Sequence, residues 1–191
     1  ARRYQQGIKS GLSILDAFLP SLEAAIARQQ VTLLTGTAVQ GLIQERPGKV
    51  VGVTATGPSG TQDFKGSQFV LASGGCAANP RLFEELHGVP LYAKTAYPTS
   101  QGDGLILGMS AGAAIVGGEK YASLPGLVPD AWQYPAQMYA WAPLHPMVRQ
   151  PWEILVNAHG ERFVREDHPS VHQIERGIYR QPGHRHWAIF D

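Results

Sequence analysis

The stretch Phe69-Val70-Leu71-Ala72-Ser73-Gly74-Gly75-Cys76-Ala77-Ala78-Asn79-Pro80 decides how this chain is read. Its apolar start, Phe69 to Ala72, predicts a strand buried on both faces, as in a parallel sheet. Asn79-Pro80 predicts a helix start, with Asn79 as N-cap, Pro80 at the first helical position and Gly88 just past the end. Strand, small-residue turn, helix is the order in which open α/β sheets offer backbone N–H groups to a ligand. Two readings of Gly74 and Gly75 stand side by side. Glycine is required there by the dihedrals of a tight turn, or it lets a ligand lie against the backbone.

Working outward, Leu12, Leu15, Leu19, Leu22 and Ile26 recur at helical spacing, and Pro20 among them predicts a kink or a restart. Val31 to Thr35 reads as a short buried strand, so the N-terminal part has the pattern of a layered α/β sheet. Val39 to Gln44, Val50 to Thr56 and Thr61 to Phe64 read as strands. Arg46-Pro47-Gly48 and Gly57-Pro58-Ser59-Gly60 turn between them, which makes a small antiparallel meander. Gly104 to Gly112 reads as a short helix. Residues 117–151 are rich in Pro, aromatic residues and Met without periodicity, and a domain boundary is placed near Gly117-Gly118. Trp152 to Val156 and Glu161 to Val164 flank Asn157-Ala158-His159-Gly160 as a hairpin. Ser170 caps a helix to about Gln181 with Val171, Ile174 and Ile178 inward, and His186 to Phe190 is a final strand. The fold class expected is mixed α/β and α+β.

Composition closes several function classes. A net charge of +1 with no basic block argues against binding nucleic acid or an anionic membrane. The single cysteine, Cys76, excludes an internal disulfide framework and a multi-thiolate zinc site, and reads as a small apolar filler. His184 with His186 and His168 with His172 lack a third convergent ligand, so no metal is expected. No apolar stretch reaches the roughly 20 residues of a membrane span, and nothing reads as a targeting segment, so the expected location is the cytoplasm. Charged residues make up only 16% of the chain, against roughly 25% in ordinary domains. That shortage predicts a contiguous exposed apolar face, covered by a second copy of the chain or by segments outside it.

A second glycine-rich segment is Thr99-Ser100-Gln101-Gly102-Asp103-Gly104. Gly102, Gly104 and Gly108 mimic a dinucleotide fingerprint, but Tyr97-Pro98-Thr99-Ser100 before them is a turn rather than the hydrophobic strand that motif needs. Asp103 either closes its own turn or accepts a hydrogen bond from a ligand.

The ordered set of Val39 after a strand, Phe69 to Gly75, Gly102-Asp103-Gly104, Ile154-Leu155-Val156-Asn157 and Gly160-Glu161-Arg162-Phe163 resembles one family. It is the FAD-dependent oxidoreductases of the fumarate reductase, succinate dehydrogenase flavoprotein and 3-ketosteroid dehydrogenase type. The resemblance implies a Rossmann-like FAD domain over 1–116, with the antiparallel meander inside it, followed by the start of an α+β capping domain over 117–191. It also implies that the family's GxGxxG strand lies upstream of Ala1 and a second FAD segment beyond Asp191. On that reading the chain is an internal fragment that alone holds little or no FAD. By the same resemblance, Val39 matches the position whose backbone meets the adenine. Ala72, Ser73, Gly74 and Gly75 match the loop beside the FAD, and Asn79 matches a residue near its flavin side. Gln101, Gly102, Asp103 and Gly104 match a Thr-Gly-Asp-Gly motif, with Gln101 in the threonine position.

The catalytic half departs from the fumarate reductase pattern. Glu119-Lys120-Tyr121-Ala122-Ser123 has no histidine, Pro146-Met147 replaces a Thr-Glu pair, and Ser170 falls near an arginine position. These departures weigh against a C4 dicarboxylate. Arg149 matches a family arginine before the Ile-Leu-Val-Asn strand, and is either a surface cation or a group orienting a substrate carboxylate or relaying a proton. Tyr121 is either packing or an acid–base phenol, as in ketosteroid dehydrogenases. Arg162 and Glu166 are expected to form an ion pair that holds the hairpin. The function implied is hydride transfer between FAD and a small organic substrate. The alternative is a non-enzymatic α/β binding or assembly module on the same fold.

Overall fold

The computed structural model describes residues 11–119, 127–131, 133–141 and 152–190. They fall into two units, Ala1–Gln68 and Phe69–Asp191.

The first unit begins with α1, Leu12–Ala27, which runs unbroken through Pro20. The lost i→i−4 bond at Pro20 therefore neither stops nor restarts the helix. Gln29 takes φ 58° beyond its end; its N–H donates to Ile26 O (2.9 Å) and that of Gln30 to Ala25 O (2.9 Å). That is the paired closure usually made around a glycine, here with glutamine in the left-handed position. No residue of α1 is buried: Leu12, Leu15 and Phe18 are 61%, 54% and 69% exposed.

The predicted meander is present as β1 (Ala38–Arg46), β2 (Lys49–Gly57) and β3 (Gly60–Lys65), paired antiparallel in that order. Pro47 and Gly48 make the first turn, where Gly48 takes the φ of 80° that a side chain would resist. Across β2 and β3 the partners Thr54 and Asp63 bond at 2.7 Å and Thr56 and Thr61 at 2.9 Å, so one face is polar. Ala55, between the two threonines, is buried. A register shift between Val39 and Gly41 leaves Gln40 as an extra residue in β1.

The second unit holds α2 (Pro80–His87), α3 (Asp103–Ser110), β4 (Leu127–Pro129), β5 (Met138–Trp141), β6 (Ile154–Val156), α4 (Val171–Tyr179), a 3₁₀ turn at Pro182–His184 and β7 (Trp187–Ile189). β4 pairs with β5 and β6 with β7, all antiparallel. The β4–β5 pair lies where the sequence shows no periodicity, because three- and four-residue strands are too short to display one. Leu155, Ile174 and Ile178 form a buried cluster with Phe163 and Val164 packed on it, which is the inward face expected of α4.

Three expectations are corrected. Val31 to Thr35 and Phe69 to Ala72 are not strands: among the described residues neither is paired, and Leu33 and Val70 are 58% and 89% exposed. Apolar, β-branched residues favour extended backbone, but a strand exists only where a neighbour completes its ladder. The hairpin around Asn157 shrinks to one bridge, Val156 to Arg162, because β6 takes β7 as its partner instead.

Candidate functional site

The two glycine-rich segments, read separately in the sequence, dock on each other. Asn79 caps α2 by accepting from Leu82 N–H (3.1 Å), and Gly88 closes that helix at φ 68°. The Asn79 Nδ2 then donates to the Gln101 carbonyl (3.0 Å), while Gln101 Nε2 donates to the carbonyls of Ala78 (3.2 Å) and Pro98 (2.7 Å). Ala78 N–H donates to Ser100 O (2.9 Å). At the other end Gly104 N–H donates to Ser73 Oγ (2.9 Å). Ser100 N–H donating to Tyr97 O (2.9 Å) closes the turn that precedes Gly102, as expected.

This docking explains two of the four glycines. Gly102 sits at φ 83°, and a Cβ there would meet Leu82 Cδ2 at 2.5 Å and Cys76 Cβ at 3.0 Å. A Cβ on Gly104 would meet Ser73 Oγ at 2.7 Å. Both are glycine because loop lies on loop. Gly74 is glycine for its φ of 85°. Gly75 has neither reason, since its φ is ordinary and, among the described residues, nothing lies within 4 Å of where its side chain would be. Among the described residues, no chain group accepts from the N–H of Gly74 or Gly75.

Asp103 opens α3 as its first residue and is exposed. Among the described residues its carboxylate makes no hydrogen bond or ion pair, so it does not close its own turn. Cys76 is 5% exposed, and burial pushes its thiol up from the ordinary range, so it packs under Gly102 as a small apolar filler. The residues that sequence reasoning missed here are Leu82 and the carbonyls of Ala78 and Pro98. The side-chain amides of Asn79 and Gln101, both inside turns, were the available signal.

Val39 lies on β1 of the first unit, opposite Ala55. Tyr121 and Arg149 lie outside the described residues.

A second polar cluster has a structural cast. Glu166 is 5% exposed and accepts from Leu155 N–H (2.7 Å) and, twice, from the Arg162 guanidinium Nε (3.2 and 3.1 Å). Burial pushes the Glu166 carboxyl up, but the Arg162 and Leu155 donors outweigh it and hold it below its ordinary value. The expected ion pair is therefore present and fastens the turn to β6. Asn157, also buried, accepts from His159 N–H (2.9 Å) and Glu161 N–H (3.0 Å) and donates to Gln181 Oε1 (3.1 Å). His168 Nδ1 accepts from Ser170 N–H (3.0 Å). Burial beside Phe163 lowers the His186 pKa. Among the described residues no three metal-ligating side chains converge, and no helix is long and apolar enough to cross a membrane.

The family model described as FAD binding domain matches residues 2–189. The 3-oxosteroid 1-dehydrogenase of Mycolicibacterium smegmatis is 28% identical over 207 aligned positions, which cover 92% of this chain and 32% of the relative. Among solved structures, the open conformation of a flavocytochrome c3 fumarate reductase superposes with a TM-score of 0.52 at 22% identity, covering 90% of this chain and 29% of that one. The 3-ketosteroid-delta4-(5alpha)-dehydrogenase of Rhodococcus jostii RHA1, in complex with 4-androstene-3,17-dione, gives 0.51 at 24% identity, covering 76% and 27%. The chain thus spans about a third of the length of these relatives.

Proposed function

The chain belongs to the FAD binding domain family, and on that premise we propose that the protein carrying it is a flavin-dependent oxidoreductase acting on a small organic substrate. One observation carries the reading at the level of atoms. Among the described residues the N–H groups of Gly74 and Gly75 have no acceptor, and the Ser73–Gly104 bond ties their turn to the one that carries the unpaired carboxylate of Asp103. That donor and acceptor set fits an electron-rich, hydroxyl-bearing cofactor. The family's cofactor, when bound, accepts or returns a hydride.

In this reading Ala72 and Ser73 bring the backbone to the cofactor, Gly74 and Gly75 donate to it, and Asp103 accepts from one of its hydroxyls. Gly102 and Gly104 let the loops close, Asn79 and Gln101 hold them, and Val39 offers its backbone toward the adenine. Residues 1–116 are assigned to the FAD domain and 117–191 to the start of a cap. Within that cap Arg149 orients a substrate carboxylate or relays a proton, and Tyr121 serves as acid or base. A cytoplasmic location and self-association through the apolar face of α1 belong to the same proposal. The relative named as a 3-oxosteroid dehydrogenase, with the sequence departures at Ser170 and Pro146-Met147, makes a steroid ketone the first substrate to assay.

The test is colour. Protein expressed from its complete open reading frame is expected to be yellow, with flavin absorbance released on denaturation. A colourless protein that takes up no added FAD overturns the reading and leaves the non-enzymatic module.

A further inference from the structure

Two turns that carry no shared strand are nonetheless held in one geometry, and the side-chain amide of Gln101 is central to it. Both of its N–H donors are engaged, one on the Ala78 carbonyl (3.2 Å) and one on the Pro98 carbonyl (2.7 Å), so one group grips each turn. Asn79 answers in the opposite direction, from its Nδ2 to the Gln101 backbone carbonyl (3.0 Å). With Ala78 N–H to Ser100 O (2.9 Å), the crossing bonds form a reciprocal clasp at one end of the pair. Ser73 Oγ on Gly104 N–H (2.9 Å) closes the other end. Gly74 and Gly75, whose N–H groups have no acceptor among the described residues, lie in the span between the two fastenings.

We infer that Gln101 is a positioning residue: its amide, acting with Asn79, presets the Gly74 and Gly75 donors and the Asp103 acceptor before the cofactor arrives. The inference rests on the reading of this turn pair as part of the FAD site. Glycine turns lose more backbone freedom on ordering than any other sequence. A loop already ordered in the free protein avoids that loss when the ligand binds. Gln101 can do this without touching the ligand, because its donors are both turned onto the chain. A residue with one donor cannot make both bonds.

The experiment compares wild-type protein from the complete reading frame with Gln101→Met, which keeps length and loses the donors. Hydrogen exchange is followed in the cofactor-free protein, and FAD affinity is measured by titration at a temperature where both remain folded. Exchange of the Ala78 and Gly104 amides is expected to accelerate roughly tenfold in Q101M, with β2 and α4 unaffected. The FAD dissociation constant is expected to rise by about the same factor, as loss of an ordinary hydrogen-bond contribution implies. Unchanged exchange and affinity overturn the inference. So does weaker binding with unchanged exchange, which makes Gln101 a direct contact, and so does faster exchange everywhere, which makes it a general stabiliser. Wild-type protein that takes up no FAD overturns the reading of the site itself. That failure is separable, because the exchange measurement needs no cofactor.

Discussion

The turn pair at Ser73–Gly104 and the corner built by β6 and α4 lie in the same unit and are held by opposite means. The corner closes on Leu155 and Ile174, each 1% exposed, and on Glu166 buried under Arg162. The turn pair is joined mostly by exposed amide and hydroxyl bonds, with Cys76 and Leu82 as its only buried apolar residues among those described. Apolar burial is non-directional and strong, whereas an exposed hydrogen bond contributes little net energy and much geometry. The corner is built to persist, whereas the turn pair is fixed in geometry more than in energy.

Substitutions sharpen or break that contrast. The largest effect is expected from Ile174→Ala, a loss of about 2–5 kcal/mol in denaturant unfolding from the cavity it leaves. A loss under 1 kcal/mol would show that the corner is not a packed core. Glu166→Gln is expected to cost about 1–2 kcal/mol, since a buried charged acceptor becomes neutral while the Arg162 end stays screened by water. Because the folded Glu166 carboxyl lies below its ordinary value, its contribution is complete above the ordinary carboxylate range and is lost as pH falls through the folded value. Acid titration of wild type and E166Q should therefore converge at low pH; curves that stay parallel would remove Glu166 from the account. The smallest stability change belongs to Gly75→Ala, within about 0.5 kcal/mol, because its Cβ enters open space at an ordinary φ. The same change should weaken FAD uptake at least about tenfold in titration if the cofactor lies against that backbone. Uptake equal to wild type would return Gly75 to an incidental turn residue.

Local signals proved legible where a few adjacent residues settle the conformation. Asn79-Pro80 with Gly88 bounds α2, and Pro47-Gly48 turns β1 into β2. Ile174 and Ile178 mark the buried stripe of α4. Strand pairing was less legible. Phe69 to Ala72 has every propensity of a central strand and no partner among the described residues, while β6 passes over its neighbour for β7. α1 closes on Gln29 where the rules look for glycine.

The candidate site divides along the same line. Residue types and their order were sufficient for the family resemblance, since glycines after an apolar run and an Asp between glycines are local chemistry. Which glycines answer to the fold and which do not was decided only by tertiary docking. Gly102 and Gly104 are fixed by Leu82, Cys76 and Ser73, side chains remote in sequence, while Gly75 meets nothing. The sequence by itself determined the turn at Pro47-Gly48 and both ends of α2, at Asn79 and Gly88, but not the start of α4, where the Ser170 side chain makes no capping bond. The tertiary structure decided which backbone donors find a partner among the described residues, because a hydrogen bond's partner is a matter of position in space rather than of residue type.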